Sequence, residues 1–403
     1  MRAVAAWLLI ALGVAGRAQA EERLVLDGLL DLRAVHTDAT PSFLYGGLGR
    51  VRFDDDHEGL RLGRASLVAR LRLTDTVAAT VVADAYDDGD VNAVGVSEAF
   101  VQWRPFPVNS IRWQVKAGAF YLPVSLEHRL LGWSSPYTLS ASAVNTWIGE
   151  EFRVLGTELE ARWLGAAHGY RGDIALIGGV YGWNEGAGVA IAVRGWALTD
   201  RPSVAFGELG RQRLGLYYQF DGEPGWYGGI AWRHHERFEL RALHYDNRAD
   251  PAASNLKGYA GWNTRFNALG ARWEPLDPLT LTAQYIEGRT AVGPNGDPDQ
   301  FLMDLSAWYA LASVELGRTR LSARYDDFRT HQTSGYLGPA SDDQGHALTV
   351  AVLRPLTEHW ELAAEWLRVS SQYPPRAFIG VPAAATDTQL QLAVRYRFRL
   401  ETG

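Results

Sequence analysis

Ile111-Arg-Trp-Gln-Val-Lys-Ala-Gly-Ala-Phe-Tyr121 alternates along its whole length. Ile111, Trp113, Val115, Ala117, Ala119 and Tyr121 share one parity; Arg112, Gln114, Lys116, Gly118 and Phe120 share the other. Side chains of a β-strand leave opposite faces in turn, so this stretch is a strand with one apolar and one largely polar face. The pattern recurs on either side of it. Ala99, Val101 and Trp103 alternate with Glu98, Gln102 and Arg104, and Leu155, Leu159 and Trp163 with Glu158, Glu160 and Arg162. Farther on, Trp360, Leu362, Ala364 and Trp366 alternate with Glu361 and Glu365. Leu390, Leu392, Val394, Tyr396 and Phe398 alternate with Gln389, Gln391, Arg395 and Arg397.

Extended to the whole chain, this reading places about sixteen strands: 24–36, 60–73, 76–86, 95–104, 110–121, 152–163, 172–183, 226–233, 237–247, 262–274, 279–289, 305–316, 319–330, 345–354, 359–370 and 386–398. The connections alternate in length. Short turns such as Thr74-Asp75 and Gly317-Arg318 are followed by long loops such as 37–59, 122–151 and 184–225. Short turns on one rim and long loops on the other describe an all-β, transmembrane antiparallel β-barrel with short periplasmic turns and long extracellular loops. A soluble sandwich has no reason to segregate loop lengths in this way. Closure follows because lipid cannot satisfy an open sheet edge.

The aromatics test the same reading independently. Trp103, Trp113, Trp163, Trp232, Trp273 and Trp360 sit beside short turns, and Tyr396 and Phe398 lie near the end of the last strand. Tyr86, Tyr121, Tyr181, Tyr245, Tyr285, Tyr325 and Trp366 sit toward the long loops. Two aromatic girdles, one at each membrane interface, are the expectation. Within loop 184–225, Gly188–Leu198 and Arg211–Phe220 are apolar enough to be strands, which would raise the count to about eighteen; the alternative is a plug-like loop.

The chain has 403 residues, 47% of them hydrophobic and 21% charged, so it is not disordered. No internal apolar run reaches the length of a membrane-spanning helix. Cysteine is absent, which removes disulfides, thiolate metal sites and cysteine nucleophiles. A net charge of −7 argues against nucleic acid as a partner. Residues 1–20 read as a secretory signal: Arg2, an apolar stretch from Val4 to Val14, then Ala18-Gln19-Ala20 as a small-x-small cleavage site. The barrel would then be 21–403. No cofactor or metal site is expected. The adjacent His234 and His235 would point apart on a strand end, and Asp54–Glu58 lacks the ordered spacing of a calcium loop and reads as a solvated acidic loop.

About sixteen strands enclose a water channel rather than a filled core. The polar faces carry Arg64, Arg70, Arg104, Arg112, Lys116, Arg162, Arg241, Arg324 and Arg395, together with Glu98, Glu158, Glu160, Glu239, Glu361 and Glu365. A wet lumen would solvate them. Loop 122–151 is too apolar to wave in water, with Leu126, Trp133, Tyr137, Trp147 and Ile148 among its residues. It is expected to fold inward and narrow the pore. Arg104, Arg112, Lys116, Glu127, His128, Arg129, Glu150, Glu151 and Arg162 are then the candidate pore-lining residues.

The stretches Glu98–Arg104 and Arg112–Tyr121, followed by the long loop ending Asn-Thr-Trp-Ile-Gly-Glu-Glu151, resemble Gram-negative outer-membrane porins, and most nearly the phosphate-selective porins O and P. The resemblance implies a homotrimer with its third loop folded into the pore. It implies passive diffusion of small hydrophilic solutes or ions, anions such as phosphate among them, in a membrane of lipid and lipopolysaccharide. Phe398 resembles the C-terminal aromatic signal read by the barrel insertion machinery. Phosphate-selective members combine arginines with a lysine cluster, whereas this chain has only Lys116 and Lys257. The alternative is a barrel enzyme of lipase or protease type with a rim active site.

Overall fold

The computed structural model describes residues 23–87, 94–184, 186–203, 221–235, 237–254, 261–333 and 341–402. Sixteen antiparallel strands close on themselves. They are β1 (Arg23–Thr37), β2 (Gly59–Arg72), β3 (Val77–Ala85), β4 (Val94–Trp103), β5 (Ile111–Tyr121), β6 (Arg153–Trp163), β7 (Asp173–Asn184) and β8 (Gly225–His234), then β9 (Phe238–Asp246), β10 (Asn263–Leu276), β11 (Leu279–Val292), β12 (Phe301–Leu316), β13 (Thr319–Gln332), β14 (Asp343–Pro355), β15 (Trp360–Gln372) and β16 (Ala384–Thr402). Each pairs with its sequence neighbours, and β1 pairs with β16 from Leu24↔Thr402 to Thr37↔Gln389.

The burial of the strands runs opposite to that of a soluble protein. Leu176, Leu269 and Leu392 point outward and are more than half exposed, while Arg64, Arg324, Asp326 and Glu365 point inward and are buried. A one-residue slip would exchange the two faces, so the alternation fixes the register wherever one face meets lipid. At the seam, Phe398 lies over Gly28, its partner on β1, where a Cβ would collide with the ring. An aromatic covering a strand glycine pins the closing pair. β16 continues past Phe398 to Thr402, four residues beyond the last aromatic.

Two expectations change. Gly188–Leu198 is not a strand: it contains a short helix, α2 (Val189–Arg194), which follows α1 (Ala143–Glu151) in chain order, and the ring closes without an extra hairpin. The proposed strand Arg211–Phe220 and the proposed signal 1–20 lie outside the described residues. The short-turn girdle faces outward, with Trp103, Trp113, Trp232, Trp273 and Trp360 exposed, Trp163 against Tyr170, and Tyr396 tilted against Trp360 at 4.8 Å. The long-loop girdle is different in membership. Tyr86, Tyr121, Tyr181 and Tyr245 are buried inside the barrel, and the outward aromatics at that end include Trp226, Tyr285, Trp308 and Tyr325. Strand-end position alone did not separate the faces.

Candidate functional site: the barrel lumen

Three long connections fold into the lumen. Residues 122–151 leave β5 and cross to the opposite wall. There the Leu126 N–H donates to Gln284 on β11 (2.9 Å), and Gln284 donates back to the Val124 carbonyl (2.9 Å). Glu127 accepts from Arg324 on β13 (2.7 Å) and from Asn145 (2.8 Å). The backbone N–H groups of Leu139 and Ser140 donate to Glu365 on β15 (2.6 and 3.0 Å), and that of Ala143 to Asp326 (3.0 Å). A segment with few neighbours of its own thereby has its backbone donors satisfied by wall carboxylates and amides.

The segment returns to β6 as α1. Ser142 caps it by accepting from the Asn145 N–H, and every residue of the helix is buried. Trp147 meets Phe152 at 4.6 Å, Trp196 at 5.5 Å and Phe266 at 5.6 Å. With Ile286, Met303 and Tyr309 from the wall, these side chains form an apolar core inside the barrel. That core accounts for the apolar character of the segment.

Residues 186–203 pack on α1. The Gly188 and Ala190 N–H groups donate to Glu151, and Arg194 pairs with Glu150. Asp200 is held by Arg33 (2.6 Å) and Arg52 (3.0 Å), and Arg64 donates to its carbonyl. Residues 38–58 complete the assembly: Arg50 donates to the carbonyls of Arg194 (2.6 Å) and Trp196 (2.9 Å) and pairs with Asp343 (2.7 Å). Burial alone would raise the Asp200 carboxyl, but Arg33, Arg52 and Arg64 outweigh it and hold the group well below its ordinary range. In the same 38–58 segment Asp54 is buried, accepting from the Ser42 N–H (2.7 Å) and His57 (2.5 Å), so the expected solvated acidic loop is anchored at its first residue.

Eight of the nine sequence-derived lining residues fall into three groups, and the ninth, His128, stacks on Trp133. Glu127, Glu150 and Glu151 are sealed from solvent and face packed protein rather than water; Glu151 also accepts from the Trp147 indole (3.0 Å). At mid-height Lys116 pairs with Glu158 (3.1 Å); nearer the short-turn end Arg162, opposite Arg112 in the register, pairs with Glu160 (2.7 Å), and Arg129 reaches Glu239 (3.7 Å). Arg104 and Arg112 stand near the short-turn end, away from the inward segments. The nine do not form one ring. The wall charges are also not uniformly solvated: Arg64, Arg324 and Arg395 are buried, and Arg395 is paired with Asp31 (2.9 Å). Sequence reasoning missed Asp200, Arg33, Arg52 and Asp343, because the contacts that join them span more than a hundred residues. The apolar run Val189–Ile191 was the available signal.

His128 stacks on Trp133 (4.7 Å between centroids) and shares a hydrogen bond with Ser125 (3.0 Å). Burial pushes its pKa down to about 4; Glu127 opposes the shift, and Arg64 and Arg324 add to it. A ring freed from this environment protonates near 6.5, while the docked ring stays neutral to about 4. The docking contribution is therefore complete above 6.5 and is lost as pH falls through that window. Backbone amides of residues 125–141 are expected to exchange faster at pH 5 than at pH 7.5, beyond the intrinsic pH effect, and His128→Gln to abolish the difference. Equal protection at both pH values in the native chain would contradict this.

No model of a known protein family matches the sequence, and no curated protein matches it. Solved structures share the fold. The outer membrane channel DcaP of Acinetobacter baumannii superposes with a TM-score of 0.61 at 13% identity, covering 95% of this chain and 99% of that one. An anion-selective porin from Comamonas acidovorans gives 0.53 at 13% identity, over 94% and 100%. The trimer form of OmpT, an outer membrane protein of Vibrio cholerae, gives 0.51 at 10% identity, over 94% and 100%. At these identities the likeness speaks for the fold.

Proposed function

We propose that this chain is an outer-membrane porin, exported through a cleaved signal at 1–20, which passes small hydrophilic solutes or ions down their gradients. The observation that carries the reading is a closed sixteen-strand ring with large apolar side chains exposed on its outer face and charged side chains on the inner faces of β2, β5, β6, β13, β15 and β16. The route we infer follows β2 to β6. Thr80, Gln102, Arg112, Gln114 and Lys116 keep partial exposure on that inner wall, whereas residues 122–151 cover the inner faces of β11, β13 and β15. In this reading the inward segments act as the constriction. Trimeric assembly is part of the proposal, supported by the trimer form of the Vibrio protein. Phosphate specificity is not, since the sequence holds only two lysines and Lys116 is already paired with Glu158.

Planar-bilayer recording under a KCl gradient tests the reading. Stepwise openings are expected, and silence from correctly folded protein would overturn it. Arg112 has no carboxylate partner among the described residues, so Arg112→Ala is expected to shift the reversal potential toward cation preference by removing an unpaired cation; Lys116→Ala is expected to shift it in the same direction, because it leaves Glu158 without its pair. No shift at Arg112 would remove that arginine from the route.

A further inference from the structure

In the short-turn half of the barrel, inward arginines come with carboxylates. Arg70 pairs with Asp27, Arg162 with Glu160, Arg241 with Glu239, Arg320 with Glu315, and Arg397 with Glu361. Arg72, Arg104 and Arg112 depart from this: among the described residues none of the three has an ion pair or a side-chain hydrogen bond. They are not scattered. All three line one cleft of about 420 Å³ at the short-turn mouth, with Gln102 and Phe106. The register explains their convergence. Arg72 is opposite Ala78, and Ala78 is opposite Gln102, so a methyl group stands between two long polar side chains and leaves the space above it open. Asp75 on the adjoining turn is the one carboxylate lining the cleft, which leaves a net positive charge.

The wall beside the arginines is apolar. The turn from Arg104 to Ser110 exposes Phe106 (70%) and Val108 (98%), although a turn in water has no use for either. A pocket of this size, with convergent cations, an amide and an aromatic face, has the composition of a small-molecule site. Three guanidinium groups select a carboxylate or phosphate oxygen by paired N–H donors, and the Phe106 ring selects an apolar or aromatic body attached to it.

We propose that the short-turn mouth holds a binding site for small organic anions that carry an apolar ring, formed by Arg72, Arg104, Arg112, Gln102 and Phe106. The site rests on the channel reading only for its purpose, since binding there does not require conduction. It gives that reading a solute class.

Equilibrium binding to the detergent-folded barrel tests it without any conductance measurement, with benzoate, acetate, inorganic phosphate and benzyl alcohol as probes and heat-modifiable gel mobility as the folding control. Benzoate is expected to bind more tightly than acetate or phosphate, and benzyl alcohol not to bind. Arg104→Gln and Arg112→Gln are each expected to weaken benzoate about tenfold, the size of one lost charge-assisted contact. Phe106→Ser, at an exposed turn position, is expected to weaken benzoate and leave phosphate unchanged. Equal affinity for benzoate and phosphate would overturn the ring-selective site, and absence of binding by a folded barrel would overturn the site as a whole. Bilayer recordings on the same preparation judge the channel reading separately.

Discussion

Arg324→Ala is expected to cost the barrel about 3–5 kcal/mol, the range for removing one partner of a buried ion pair. Arg324 is fully buried, with Glu127 of the inward segment at 2.7 Å and Asp326 of its own strand at 2.8 Å. Its guanidinium also donates to the carbonyls of Ser140 (2.8 Å) and Ala141 (2.9 Å) and to Thr349 (3.2 Å). Alanine would leave two carboxylates facing each other without a cation and the Ala141 carbonyl without its donor, while the Ser140 carbonyl would keep only the Thr138 hydroxyl. The defect is local to the joint between wall and segment, so residues 122–141 should detach before the ladder unzips. Ser322→Ala is the control. It is inward on the same strand, two residues away, and loses a single hydrogen bond to Ser313 (3.0 Å), worth roughly 1 kcal/mol. Urea unfolding followed by tryptophan fluorescence measures both, and an Arg324→Ala shift no larger than the control would refute the joint.

The second large effect concerns conduction. Replacing residues 125–151 with a short Gly-Ser linker is expected to raise single-channel conductance severalfold. The excision removes α1 and with it the centre of the internal core, because Trp147 contacts wall, α1's own exit and the 186–203 segment together. Glu150 and Glu151 leave too, and they hold Arg194 and the Gly188 and Ala190 N–H groups. Two of the three inward segments thus lose their anchors in one change. The barrel should survive, since its backbone ladders run strand to strand around the closed ring and do not pass through the interior. Unchanged conductance in a folded variant would mean that these residues do not limit passage.

Much of the architecture was readable in the chain because period two is a strong signal when one face meets lipid and the other does not. Leu390 to Phe398 against Gln389 to Arg397 already states which way each side chain points, and the structure keeps that parity. The tyrosines show where such reading stops. Tyr181 and Tyr245 lie near strand ends, as girdle residues do, yet they point inward and stack on each other at 5.7 Å inside the barrel. Residue type and height along the strand were legible, whereas facing required the register.

The lumen was harder. That 122–151 is apolar was plain, but its anchors Gln284, Arg324 and Glu365 come from strands far along the chain. Carboxylates inside a barrel look alike in sequence whether water or an arginine faces them. Glu127 and Glu160 illustrate this: the first is fully buried against Arg324, and the second keeps partial exposure beside Arg162. Asp200 had no local signal at all, since its partners Arg33 and Arg52 stand about 150 residues earlier.

The central claim is that passage follows the β2–β6 wall and not the packed wall opposite. The chain has no cysteine, so single cysteines can be introduced without a background and challenged with a charged, water-soluble methanethiosulfonate during single-channel recording. Arg112→Cys and Gln114→Cys are expected to react and to lower conductance in discrete steps. Met303→Cys and Ala307→Cys, on the buried inner face of β12, are expected to leave it unchanged. Block at Met303 or Ala307 with none at Arg112 or Gln114 would contradict the account.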